Sequence, residues 1–148
     1  MKLLTLICAV GSLGIRYAFG QPANQIPPKP NLQGTWHCVS AIVSGKPLPT
    51  ATTQLLRLTL TSDRYKTMKG PEVLFDSTYS VDFTKNPAEI NLVGTEGDLT
   101  GKVAPGILAW DGNLLRICYV MPGLPRPAKF ETAEESQAFL VTWQKTIN

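Results

Sequence analysis

The sequence predicts an all-β domain, a small closed barrel of eight antiparallel strands. Three observations predict it. From Leu32 onward, short segments of alternating apolar and polar residues recur at intervals of about 8 to 12 residues, separated by Gly, Pro, Asn and Asp turn signals. The connections between many of them are tight, as hairpins are. Eight such strands laid side by side in sequence order would leave two open edges, and meeting of the first and last strands removes both.

Each element has a local reason. The first strand spans residues 35–43 and ends at Ser44-Gly45-Lys46-Pro47, where glycine permits a turn and proline removes a ladder donor. Residues 55–61 follow, with Leu56, Leu58 and Leu60 on one face, and Ser62-Asp63 connects them to a short strand at 64–68. After Lys69-Gly70-Pro71 comes the clearest alternation in the chain. Val73, Phe75, Ser77, Tyr79, Val81 and Phe83 share one face, while Asp76, Thr78, Ser80 and Asp82 share the other. Beyond Lys85-Asn86-Pro87, Ile90 and Leu92 alternate with Glu89 and Asn91, and the polar stretch 94–101 reads as a loop. Residues 102–110 and 113–120 are paired strands around Asp111-Gly112, a two-residue signal of the I′ kind. Three prolines within residues 121–127 exclude a strand there and predict an exposed loop with Arg126 near its tip. The last strand is 138–144, preceded by Glu131, Glu134 and Glu135, which are expected to cap a helical turn.

Ahead of the domain lie two further segments. Residues 1–20 read as a signal peptide: Lys2 is the charged start, residues 3–13 the apolar run, and Ala18-Phe19-Gly20 the small-residue cleavage site. Cys8 lies inside the apolar run after bulky Ile7, unlike a lipid-attachment site. Residues 21–31 contain four prolines and no apolar periodicity, the composition of an extended spacer, and residues 32–148 form the domain. The expected destination is the periplasm or the medium, as a monomer. No stretch is apolar for the roughly 20 residues that a spanning helix needs. Cleavage after Gly20 removes Lys2 and Arg16 from the 14 basic residues, leaving 12 against 11 acidic ones, so the net charge falls from +3 to +1. The remaining basic residues are interspersed with acids, which speaks against nucleic acid or an anionic membrane as partner.

Several motifs in order carry a family likeness. Leu32-Gln33-Gly34-Thr35-Trp36, Gly45-Lys46-Pro47-Leu48-Pro49, Leu56-Arg57-Leu58-Thr59, Leu114-Leu115-Arg116-Ile117-Cys118 and Pro122-Gly123-x-Pro125-Arg126-Pro127 resemble an uncharacterised secreted domain family of planctomycete-type bacteria. That resemblance implies a lipocalin-like, calycin-type barrel and no particular activity. Gly34-x-Trp36 also resembles the opening motif of lipocalins, which implies Trp36 at the barrel floor with a late-strand arginine on its ring, here Arg116.

The chemistry-bearing residues are sparse. His37 is the single histidine and alternates outward if Trp36 points inward, so no catalytic triad or zinc set is expected around it. Cys38 and Cys118 either form a disulfide, if Arg116 and Cys118 face the interior, or remain buried thiols, if Leu115, Ile117 and Tyr119 do. Asp76 and Asp82 could act as a carboxylate pair only across a cleft. There is no nucleophile elbow, glycine-rich phosphate loop or metal motif, so neither catalysis nor a cofactor is expected. Trp36, Tyr65, Phe75, Tyr79, Phe83, Trp110 and Trp143 are the candidates to line the barrel, either as a packed core or around a small apolar or amphipathic ligand. The first reading is a non-enzymatic exported binding domain. The second is a protein-interaction module, an inhibitor or accessory protein, with a filled barrel and loop 121–127 presenting Met121 and Leu124.

Overall fold

The computed structural model describes residues 29–147, so the signal-peptide assignment and residues 21–28 of the spacer lie outside the described residues. The elements are β1 (Gly34–Val43), β2 (Lys46–Pro47), α1 (Thr50–Thr53), β3 (Leu56–Leu60), β4 (Arg64–Lys69), β5 (Glu72–Asp82), β6 (Ala88–Gly94), a single 3-10 turn (Gly97–Leu99), β7 (Val103–Asp111), β8 (Leu114–Val120) and β9 (Ala138–Lys145). Strands β1 and β3 to β9 are antiparallel neighbours in that order. β1 also pairs with β9, from Trp36↔Lys145 to Val43↔Phe139, which closes an eight-stranded barrel. All eight expected strands are present, with boundaries within two residues of the expected ones. β2 was not anticipated; it lies outside the barrel, paired only with the end of β1, an edge position where Pro47 costs no ladder bond.

Turn chemistry follows the residues with small corrections. Ser44 and Gly45 have φ of 48° and 79°, the doubly positive pair of a I′ hairpin. Asp111 pairs directly with Leu114, so the two-residue turn is Gly112-Asn113 rather than Asp111-Gly112. Only Gly112 has positive φ, at 57°, which is the II′ pattern with glycine leading.

The interior is an apolar cluster that includes Leu58, Tyr65, Ile90, Leu92, Leu115, Ile117 and Trp143. Two bulges change which residues reach it. In β1 the register slips between Cys38 and Ser40, so Val39 is thrown outward and is 50% exposed while Ala41 resumes the inner face. In β5, Phe75 pairs with Thr67 but Val73 pairs with Met68, leaving Leu74 as the extra residue. Val73 is therefore outward and exposed, not on the inner face with Phe75 and Ser77 as the unbroken alternation predicts.

Segment 121–137 is not a free loop. Arg126 is turned onto the barrel wall, where its guanidinium donates to the Ile90 carbonyl (2.8 Å), the Gly106 carbonyl (2.7 Å) and Asn91 Oδ1 (2.7 Å). Phe130 lies under the Arg116 guanidinium at 4.6 Å, Thr132 Oγ1 accepts from the Gly45 amide, and the Met121 amide donates to the Gln137 carbonyl. The segment is a strap over the outer face of β6 to β8. It covers an outward-facing apolar set, Ile107, Cys118 and Val120, that barrel alternation would otherwise leave in water. The helical turn expected near Glu131, Glu134 and Glu135 does not form; Glu135 and Gln137 adopt φ of 58° and 51°, which no α-helix accommodates. Gly106 is fixed by the same wall, since a Cβ there would come within 2.7 Å of the Cys118 carbonyl and 3.0 Å of Ile90.

Candidate functional site: a cavity at the open end of the barrel

The two ends of the barrel differ because of what the strands carry at their termini. At one end the start of β1 places Trp36 in full burial, its Nε1 donating to the Leu32 carbonyl at 3.0 Å. The cation on its ring is Lys145 of β9, with Nζ 5.4 Å from the ring centre. The aliphatic part of that lysine also lies against Gly34, where φ is 134° and a Cβ would come within 3.1 Å of Lys145 Cε. Arg116 does not take this role: it shares the outer face of β8 with Cys118 and stacks on Phe130. The Trp36 ring thus carries a cation, but from β9, the strand that closes onto β1, and not from Arg116.

At the other end the terminus of β1, the starts of β3, β5, β7 and β9 and the ends of β4 and β8 surround a cavity of about 360 Å³. Its floor includes Tyr65 and Trp143, both buried, and its wall includes Phe75, Tyr119, Phe139, Val141 and Ala104. Tyr65 meets Phe75 edge-on, with centroids 6.4 Å apart, and Tyr119 stacks on Phe139 at 4.9 Å, so the wall is built of mutually braced rings. Leu48, Thr52 of α1, Leu74 and Leu99 ring the mouth with Met121 and Pro122 of the strap. The charged residues of the lining are Lys69 and Lys102, both exposed at the mouth, and no carboxylate is among the lining residues. Tyr65 Oη and Trp143 Nε1 are buried without a hydrogen-bond partner among the described residues.

Burial keeps this interior neutral. It pushes the phenol of Tyr65 well above its ordinary value, with Tyr119 and Cys38 adding to the effect. Burial likewise raises Tyr119, and raises the Cys38 thiol from 9.0 to about 11 against a small opposing influence of Arg57. A cavity of this size, at roughly 30 Å³ per water-sized unit, holds on the order of a dozen non-hydrogen atoms.

The expected lining residues divide. Tyr65, Phe75 and Trp143 line the cavity, and Trp36 seals the opposite end. Tyr79 and Phe83 face a second hollow of about 310 Å³ where residues 29–33 enter the barrel, and Tyr79 Oη donates to the Thr61 carbonyl at 2.7 Å. Trp110 is not interior: it has the parity of Leu108 but sits at the end of β7 beside the turn, beyond the packed part of the barrel, and is 46% exposed. Cys38 and Cys118 are both free. Cys38 belongs to the interior cluster, whereas Leu115 and Ile117 take the inner face of β8 and send Cys118 outward under the strap, so the two thiols lie on opposite sides of the wall. The disulfide expectation is corrected on that ground.

The carboxylates do not gather. Asp76 is bound by Arg64 at 2.6 Å and approached by Lys66 at 3.9 Å, while Asp82 accepts from the amide and hydroxyl of Thr84, which hold its carboxyl below the ordinary value. Six residues apart on one strand, they are separated by about 20 Å. His37 and Cys38 face opposite sides of β1, and among the described residues no three His, Cys, Asp or Glu side chains cluster. No helix among the described residues is long and apolar enough to cross a membrane.

Comparison with protein-family models, curated proteins and solved structures gave no match. Tyr119 and Phe139 were not among the expected lining residues, although alternation along β8 and β9 from Leu115 and Trp143 could have found them; Leu74, Leu99, Met121 and the two lysines reach the mouth from a bulge, turns and strand ends, where no periodicity operates.

Proposed function

We propose that this chain is an exported, non-enzymatic, lipocalin-like carrier that holds a small apolar or amphipathic molecule in the open end of its barrel, as a member of the secreted family its motifs resemble. The observation that carries this reading is the cavity of about 360 Å³, walled by aromatic and aliphatic side chains and opening among the strand ends opposite Trp36. An eight-stranded barrel either fills its interior with side chains or accommodates one small ligand, and this interior is not filled. The interaction-module alternative called for a packed interior and a free loop. It has less support, because Arg126 lies against β6 and β7 instead of projecting into solvent.

Native mass spectrometry of the protein purified from its own envelope fraction, beside a denatured control, tests the reading. A small molecule lost on denaturation is the expected result. A bare mass, together with failure to enhance the fluorescence of an apolar dye such as 1-aminoanthracene, overturns it.

A further inference from the structure

The strap belongs to the cavity as well as to the outer wall. At its start, Met121 and Pro122 line the mouth. The bond from the Met121 amide to the Gln137 carbonyl closes its base, next to the Val120↔Ala138 and Tyr119↔Phe139 pairs of β8 and β9. The stacked rings of Tyr119 and Phe139 form the cavity wall immediately inside that base. The returning half of the strap rests on the turn between β1 and β2. A Cβ on Gly45 would come within 3.0 Å of the Glu134 amide nitrogen and 3.2 Å of the Ala133 carbonyl carbon, so backbone meets backbone there, and Thr132 Oγ1 accepts from the Gly45 amide. Val43 and Leu48, which flank this hairpin, line the cavity too. The strap therefore meets the mouth from two sides, while its middle is fastened to the outer wall by Arg126 and by Phe130 under Arg116.

These fastenings are few, and water can replace the polar ones, so the strap opens locally at less cost than the barrel. A ligand that reaches the mouth touches Met121 and Pro122 only while the strap is docked. It binds the docked state more tightly for that reason, and by linkage it favours docking in return. Resting on the carrier reading, we propose that strap docking is coupled to occupancy of the cavity: a bound apolar molecule holds the strap down, and an empty cavity lets it lift. The outer face of β6 to β8 thereby reports the state of the interior. Contact with two mouth residues sets the coupling at about five- to tenfold, the lower part of the range for linked sites.

Cys118 reads the coupling. It is fully buried beneath the strap, on the far side of the wall from the cavity, so a molecule in the cavity does not shield it directly. The test uses Arg126→Met, which loosens the strap so that its lifting dominates the reaction of Cys118; Arg126→Lys, which keeps a charged donor, takes its place if the methionine variant does not fold. Saturating 1-aminoanthracene is expected to slow alkylation of Cys118 by iodoacetamide about five- to tenfold in this variant. Adding Met121→Ala and Pro122→Ala removes the shared contact: dye affinity falls by about the same factor, and protection at renewed saturation drops to twofold or less. A Cys118 rate that saturating dye leaves unchanged or raises, protection that survives the two mouth substitutions, or a loosened variant that reacts no faster than wild type overturns the inference and leaves the carrier reading in place. Failure of the dye to bind removes the inference; joined to a bare mass in the native measurement, it removes the carrier reading as well.

Discussion

Arg126→Met removes the guanidinium that fastens the strap while keeping most of its aliphatic stem, and its effect follows from the contacts. Three hydrogen bonds of 2.7 to 2.8 Å are lost, two to strand carbonyls and one to Asn91. A hydrogen bond from a charged donor is worth about 1.5–3 kcal/mol, but this side chain is 27% exposed and water replaces part of what is removed. The Glu89 contact at 3.7 Å is half in solvent and adds little. The expected loss is therefore about 2–3 kcal/mol, borne by the docking of the strap more than by the barrel. Cys118 reports it directly, because it is fully buried beneath the strap. If Cys118 reacts only when the strap lifts, that loss raises its alkylation rate by iodoacetamide about 30- to 150-fold at constant pH. Cys38, inside the barrel, keeps its wild-type rate, and peptide mass spectrometry distinguishes the two sites. A Cys118 rate within threefold of wild type, or equal acceleration at Cys38, would refute the strap as a separately docked element held by Arg126.

Two further expectations concern the barrel itself. Trp36→Ala, which empties the sealed end and abolishes the bond to Leu32, should lower stability by about 3–5 kcal/mol in urea unfolding; near-wild-type stability would show that Trp36 does not anchor the floor. Alkali should destabilise the fold, because burial raises Cys38, Tyr65 and Tyr119 above their ordinary values. Below about pH 9 both states keep these protons and the contribution is constant. Between pH 9 and about 11 the unfolded thiol has lost its proton while native Cys38 retains it, so stability falls as pH rises, and the raised tyrosines extend the fall. Urea midpoints at pH 7, 8.5, 9.5 and 10.5 should be level for the first pair and then decline; Cys38→Ala should flatten the onset, and an unchanged slope in that variant would contradict the assignment.

Strand number, order and limits were legible in the chain because alternation and turn chemistry act over a few residues. Leu56, Leu58 and Leu60, or Ile90 and Leu92, announce their faces without reference to any partner, and Ser44-Gly45 and Gly70-Pro71 mark hairpins that the structure keeps. The barrel followed from the cost of open edges. The candidate site was legible in part: Tyr65, Phe75 and Trp143 were named as lining residues, and all three line the cavity.

What only the tertiary structure decided are properties of pairs and surfaces. A bulge is a mismatch in length between two strands, so neither β4 nor β5 alone reveals that Leu74 turns to the mouth and Val73 to solvent. The ring of Trp36 receives Lys145 because β9 is the strand that closes onto β1, whereas β8, which carries Arg116, presents that residue to the outside. Cys38 and Cys118 part company through the inward turn of Leu115 and Ile117, and the proline-rich segment becomes a strap through three long-range bonds from Arg126. The cavity is the most remote from sequence of all, since its volume is the small difference between the space a closed barrel encloses and the side chains that enter it, and that difference exists only once every strand has taken its register.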